Sequence, residues 1–374
     1  MSGAPITGSG MGDSSYPTED SPVHISAGQY VVFSHDMLTN LTPKEQYRPF
    51  KWRTSVPMRY RGDVAGTLLV QYRNTPGLST DGNLQSEYVR VFAPAKDGYV
   101  GWKVERFEKN AVNANCWHLG LTYLFGRDFT TNALKQLTNT GEIEMAVKLS
   151  GRPDYIGCKA HGDEIMRSAS LSVNGAEVPV KSVANMTMCR SVAFRQVSRM
   201  YDPSLSLLLS DVTDETPYVA VHDKTFTFQG DTLSIDQTIT WNGEFSVGET
   251  DLPMFTPRKY NAANGVSAVI TDGCYTNLSS YDLPHPWDSP TIPSQSASSS
   301  ISSATVYGKE SGIACRVTCQ QYVNGQPATT GFSLRDNGGG NYNKIYFNMS
   351  GSLGVKTASA GDVWASHAEI KVIA

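Results

Sequence analysis

Residues 86–93, Ser86-Glu87-Tyr88-Val89-Arg90-Val91-Phe92-Ala93, decide the fold class. Along an extended chain Val89 and Val91 fall on one side and Tyr88 and Arg90 on the other, because successive side chains of a strand point to opposite faces. Alternation of this kind marks a strand with one apolar and one polar face. Gly101–Phe107 repeats it, with Trp102 and Val104 opposing Lys103 and Glu105. Comparable runs cover Gln29–Ser34, Gly66–Tyr72, Trp117–Phe125 and Glu142–Leu149, punctuated by the Gly, Pro, Asn and Asp that turns require.

Further along, Ser168–Val173 leads into Asn174-Gly175, a strong two-residue hairpin signal, and Phe226–Phe228 faces Leu233–Trp241 across Gly230-Asp231. Gly312–Val323, Asn343–Met349 and Ala365–Ile373 read as late strands, and one short helix is expected around Thr130–Leu137. No helices intervene to cover a parallel sheet, so the expectation is an all-β, antiparallel β-sandwich of jelly-roll or concanavalin-like type. Residues 1–28 are small and polar and read as a flexible N-terminal arm; 29–374 form the sandwich, in one or two lobes, with a Ser-rich loop over 289–304.

The chain has 374 residues, 18% charged, with a net charge of -4. It lacks the clustered Lys and Arg of a phosphate-binding surface, so nucleic acid is not an expected partner. There is no run of 18 apolar residues and no signal-peptide pattern at the start, so no membrane span is expected. The six cysteines form no CxxC pair and no Cys/His cluster of zinc spacing; they read as free thiols, with no metal and no cofactor expected. P-loop, dinucleotide, nucleophile-elbow and zincin motifs are all missing.

Two segments carry candidate chemistry. Tyr155–Glu164 reads as a strand that alternates Lys159, His161 and Asp163 onto one wet face, and a histidine there is a candidate acid/base group because its ordinary pKa lies near neutrality. In Asn341–Asn348, Ile345 and Phe347 point inward and Tyr342, Lys344 and Tyr346 form a row on the other face. Such a row suits sugars, which stack on rings and present hydroxyls or carboxylates to lysine. Arg90, beside Tyr88, has the planar fork that neutralises a carboxylate. Glu142, Glu144, Asp163 and Glu164 are available for glycoside hydrolysis, but no spacing among them compels that role.

Val100–Phe107, Gly141–Val147, Asp154–Glu164, Tyr342–Phe347 and Ala360–Trp364 resemble segments of tailed-bacteriophage tail fibre or tail spike proteins with a polysaccharide-lyase-like, concanavalin-type sandwich. The resemblance spans about 88–374. It implies a virion protein made in the bacterial cytoplasm, a homo-oligomer partnered by other tail proteins and by host cell-surface polysaccharide. Similarity to alginate-lyase-type sandwiches implies catalytic roles for Arg90, His161, Lys344 and Tyr346, with Tyr88, Tyr342 and Asp163 as carbohydrate-binding groups. Where that family has Gln-x-His and Tyr-x-Lys-x-Gly, this chain has Lys159-Ala160-His161 and Tyr342-Asn343-Lys344-Ile345-Tyr346, which weakens catalysis more than fold. A tail component that contacts glycan, a lyase acting on acidic glycan, and a viral capsid jelly roll are the three functional expectations. The arm has no Lys or Arg in residues 1–28, which disfavours the RNA-packaging capsid.

Overall fold

The computed structural model describes residues 67–76, 85–95, 98–108, 116–126, 133–139, 143–157, 161–277, 280–282, 295–297, 301–337, 342–350 and 354–374. The arm 1–28, the run Gln29–Ser34, Lys159, Cys158 and much of the Ser-rich stretch 289–304 lie outside the described residues.

The fold is an all-β antiparallel sandwich. An eleven-stranded sheet runs Ser280–Asp282, Gly273–Thr276, Ser303–Tyr307, Ala314–Val323, Val363–Ile373, Thr232–Trp241, Ala220–Gln229, Ser191–Met200, Glu164–Val173 and Ala176–Val178, with Gln326–Pro327 attached to Ala314–Val323. Two six-stranded sheets cover one of its faces. The first orders His118–Leu119, Gly98–Glu108, Gln85–Ala95, Leu68–Pro76 and Thr187–Cys189, with Tyr123–Gly126 also paired to Gly98–Glu108. The second orders Gln295–Ala297, Gly331–Asn337, Tyr342–Asn348, Phe245–Phe255 and Lys356–Ala358, with Ala146–Leu149 paired to Phe245–Phe255.

The alternation in the sequence explains the layering. Val89, Val91, Trp102 and Val104 of the first covering sheet, and Phe332, Leu334, Ile345 and Phe347 of the second, share one core with Phe194, Phe226, Leu233 and Ile235 of the long sheet. Each such side chain, fully buried, is worth about 1.5–3 kcal/mol. A second core joins Val147, Leu149 and Val247 to Trp241 and Trp364, whose rings meet edge-on at 5.0 Å.

The two covering sheets are stitched edge to edge. Bridges Tyr123↔Gln136, Thr138↔Pro257 and Arg258↔Tyr342 carry the connection, reinforced by Arg258 N–H donating to the Leu137 carbonyl at 2.8 Å and Asn343 N–H to the Pro257 carbonyl at 2.9 Å. The outer faces of both sheets therefore belong to one continuous layer.

Both expected hairpins form. Asn174 and Gly175 have φ of 53° and 79°, the double positive φ that a two-residue primed turn needs, and Gly230-Asp231 closes the pair Gln229↔Thr232. Three expectations are corrected. The helix around Thr130–Leu137 is, in its described part, only a 3-10 turn at Ala133–Lys135, followed by bridging residues. Trp117–Phe125 is two short strands, His118–Leu119 and Tyr123–Gly126. Tyr155–Glu164 is not a strand: Gly157, Gly162 and Asp163 take φ of 95°, 88° and 54°, and the extended chain begins only at Glu164. His161 and Asp163 thus do not alternate along a pleat. Among the described residues no helix is long and apolar enough to cross a membrane.

Candidate functional site

The outer face of the covering layer gathers aromatic rings and cations. On Gln85–Ala95, Tyr88, Arg90 and Phe92 point away from the core that holds Val89 and Val91. The Arg90 guanidinium lies 5.1 Å from the Tyr88 ring centre and 5.2 Å from that of Phe125, a cation–π arrangement on both sides. Phe125 reaches that position because Gly101 beneath it has no side chain; a Cβ there would lie 2.2 Å from the ring. Lys103 Nζ sits 4.9 Å over Tyr88 and pairs with Glu105.

Tyr123 lies within electrostatic reach of both Arg90 and Arg258, and Arg258 in turn of Tyr342 and Tyr260. Lys344 Nζ stands 5.9 Å over the Tyr342 ring. The result is a continuous band: Tyr88, Arg90, Tyr123, Arg258, Tyr342, Lys344. Among the described residues neither Arg90 nor Arg258 meets a carboxylate at ion-pair distance, and the Nε of each is enclosed without an acceptor. Glu105, the acid that acts on Arg90 at longer range, is committed to Lys103. Burial pushes both guanidiniums below their ordinary basicity.

His161 and Tyr346 lie on the same layer but farther along. Tyr346, Met254, Ala146 and Tyr155 pack together, and the Tyr155 ring stacks against His161 at 4.9 Å. Tyr155 donates its hydroxyl hydrogen to Glu249 at 2.7 Å, and His161 Nδ1 lies 3.6 Å from Asp154. Asp163 is half-buried, and burial, with Asp154 and Asp202 adding to it, pushes its carboxyl up to about 6. From Tyr342 to Tyr346 the strand advances four residues, about 14 Å at the usual rise. His161 thus packs with Tyr155 beside Tyr346, whereas Arg90 packs with Tyr88 and Phe125.

Sequence reasoning missed Arg258, which lies between the strands Phe245–Phe255 and Tyr260–Ala263, and Tyr123, inside the run Trp117–Phe125, and it missed a charge network under the layer. From the inner face of the long sheet, His222 and Lys224 of Ala220–Gln229 and Gln196 and Ser198 of Ser191–Met200 point inward and are buried. Lys224 Nζ donates to Glu144 Oε2 at 2.7 Å, and the Leu119 N–H donates to the other oxygen of Glu144. Ser198 donates to Glu164 Oε1, which also lies 2.8 Å from His222 Nδ1. The Cys116 thiol donates to the Glu164 carbonyl at 3.3 Å, and His118 Nδ1 lies 3.5 Å from Glu144. Burial raises both glutamates, but Lys224 and the adjacent histidines more than reverse it, so both end below the usual carboxylate range. Lys224 is lowered by burial and raised more by the two glutamates. Glu144 holds a φ of 97°, which turns its carboxylate inward ahead of Ala146–Leu149. On the opposite, exposed face of the long sheet a groove of about 360 Å³ is lined by Arg316, Gln320, His367 and Glu369, with His367 Nδ1 2.7 Å from Asp236.

No protein-family model matches the sequence, and no curated protein matches it. Among solved structures, the Slr1438 protein from Synechocystis sp. aligns over 80% of this chain and 96% of its own at 12% identity and a TM-score of 0.37. The candidate mutarotase YeaD from Salmonella typhimurium aligns over 80% of this chain and 96% of its own at 9% identity and a TM-score of 0.42. A galactose mutarotase-like protein from Lactobacillus casei aligns over 76% and 99% at 10% identity and 0.36. Identities and scores this low say nothing about the site.

Proposed function

We propose that this chain binds an acidic polysaccharide on the outer face of its covering layer, as a virion surface component that contacts host glycan without cutting it. The observation that carries the reading is Arg90, set between the Tyr88 and Phe125 rings at 5.1 and 5.2 Å, together with Arg258, which acts on Tyr123 and Tyr342, neither guanidinium meeting an acid at ion-pair distance among the described residues. A uronate carboxylate would complete those guanidiniums with charge-assisted bonds, and the flanking rings would stack on sugar faces. The tail-protein setting comes from the sequence resemblance alone.

Binding is favoured over lyase chemistry by spacing. β-Elimination requires the neutralising arginine and the proton-transferring groups at one residue of the polymer, whereas Tyr346, beside the Tyr155–His161 pair, stands about 14 Å along its strand from Tyr342, the ring that Arg258 acts on. A longer polymer spans both patches.

The test is a panel of uronate-containing and neutral polysaccharides against the full chain. Binding confined to the acidic members and weakened by salt is the expected result. Equal binding to neutral members, or none to any, overturns the proposal. An unsaturated product absorbing in the ultraviolet would convert it to a lyase, and failure to locate the chain in phage particles would remove the virion setting while leaving the binding reading intact.

A further inference from the structure

We infer that Cys116, His118 and Glu164 form an enclosed site for one divalent transition metal, with Zn²⁺ the best chemical fit. The Cys116 sulfur, a His118 ring nitrogen and a Glu164 carboxylate oxygen lie within 4.8 Å of one another, and all three residues are buried. A thiolate, an imidazole and a carboxylate are three of the four donors that a tetrahedral zinc takes, the fourth position being left to a water or hydroxide. A bound ion would draw these atoms to roughly 3.5 Å apart, a contraction that side-chain rotation covers.

The neighbours hold the candidate ligands close together. Ser198 and His222 both engage Glu164 Oε1, and Glu164 Oε2 is left enclosed with no partner. Lys224 and Glu144 sit at the Nδ1 side of His118, and its Nε2 is likewise enclosed with no partner. Two orphaned polar atoms in a buried site are costly, and both belong to residues whose donor atoms cluster with the Cys116 sulfur.

Charge points the same way. Lys224 is shared by two buried carboxylates, Glu144 and Glu164, so one fixed cation faces two acids in the interior. With a divalent ion, loss of the Cys116 proton to solvent gives thiolate, carboxylate and metal summing to zero. Coordination of this kind is coupled to folding, because the enclosed site must load as the chain closes over it. The site lies beneath the layer that carries the glycan face and does not rest on that proposal.

The experiment uses the full-length chain produced in zinc- or cobalt-supplemented medium and dialysed against a weak chelator. One equivalent of metal per chain is expected, and the cobalt form should show tetrahedral visible bands and a thiolate-to-cobalt band in the near ultraviolet. Cys116→Ser should abolish the near-ultraviolet band and weaken retention by about tenfold or more. Cys319→Ser, at a buried thiol elsewhere in the core, should change neither. If Cys116→Ser does not fold, His118→Gln provides the second variant, expected to lose the metal with its circular dichroism intact. A folded wild-type chain without metal, cobalt bound with no thiolate band, or a band that survives Cys116→Ser would each overturn the assignment.

Discussion

The two sides of the covering layer treat charge in opposite ways. Beneath it, Lys224, Glu144, Glu164 and His222 are wholly buried and bound to one another at 2.7–2.8 Å. On its outside, Arg90 lies between two aromatic rings, and neither it nor Arg258 meets an acid at ion-pair distance among the described residues. Taking a charge out of water costs several kcal/mol unless a partner compensates. The inner set supplies its partners from three strands of the long sheet and from the layer above. The outer pair has no such ion pair among the described residues, so buried ion pairs mark the inner side of the layer and guanidiniums without one its outer side.

The comparison breaks most visibly on the inside. Lys224→Met would leave Glu144 and Glu164 buried without their cation, and a stability loss of about 3–5 kcal/mol is expected in urea unfolding. Adding Glu144→Gln to it should recover part of that loss, since the pair is then removed together. Equal or additive losses would mean that the two groups do not act as a pair.

On the outside the signs reverse. Arg90→Ala and Arg258→Ala should leave unfolding midpoints nearly unchanged, or raise them slightly, because a partly enclosed charge is deleted. Each should weaken binding of an acidic polysaccharide by about 10-fold or more, corresponding to about 1.4 kcal/mol per decade. Lysine at either position should rescue little, because a point charge cannot reproduce the planar fork or its stacking. Titration calorimetry or biolayer measurements on the same polymer check this; loss of stability without loss of binding would reverse the assignment of the two faces.

Much of the framework was legible in the sequence because strand alternation is local. Val89 and Val91 face inward, Tyr88 and Arg90 outward, and both hairpin turns fall where Asn174-Gly175 and Gly230-Asp231 put them. The same reasoning failed at Tyr155–Glu164, where positive φ at Gly157, Gly162 and Asp163 breaks the pleat that alternation presumes. Ser191–Met200, which alternates strictly and lies centrally in the long sheet, escaped notice because its inward positions include Gln196 and Ser198 as well as Val192 and Phe194. The inner network was invisible for a related reason. Cys116 and Glu164 are 48 residues apart, and no local spacing connects them. Arg258 joins Arg90 only because a bridge at Tyr342 and a second at Tyr123 stitch two sheets together.

A third arrangement, intermediate between the two faces, gives the smallest predicted effect. Tyr72 donates its hydroxyl hydrogen to Glu87 at 2.7 Å, and Glu87 also accepts from Arg106 Nε at 2.8 Å, with both charged side chains about one-fifth exposed or less. Burial, followed by the hydrogen bond to Glu87 and its charge, pushes the Tyr72 phenol up from 10.0 to about 12. The folded chain thus holds this proton more tightly than the unfolded one, so the contribution is fully present below pH 10.0 and is lost as pH rises through about 12. Tyr72→Phe cannot ionise and cannot donate. Its melting temperature should be slightly lower than wild type at pH 8, by no more than a few degrees, since solvent screens a partly exposed pair. The gap should close between pH 10 and 12 as the wild-type phenol ionises. Thermal melts at intervals across that range, with phenolate absorbance followed in parallel, decide the matter. A gap that stays constant to pH 12 would show that the hydroxyl contributes through packing alone, and that Glu87 is held by Arg106 without it.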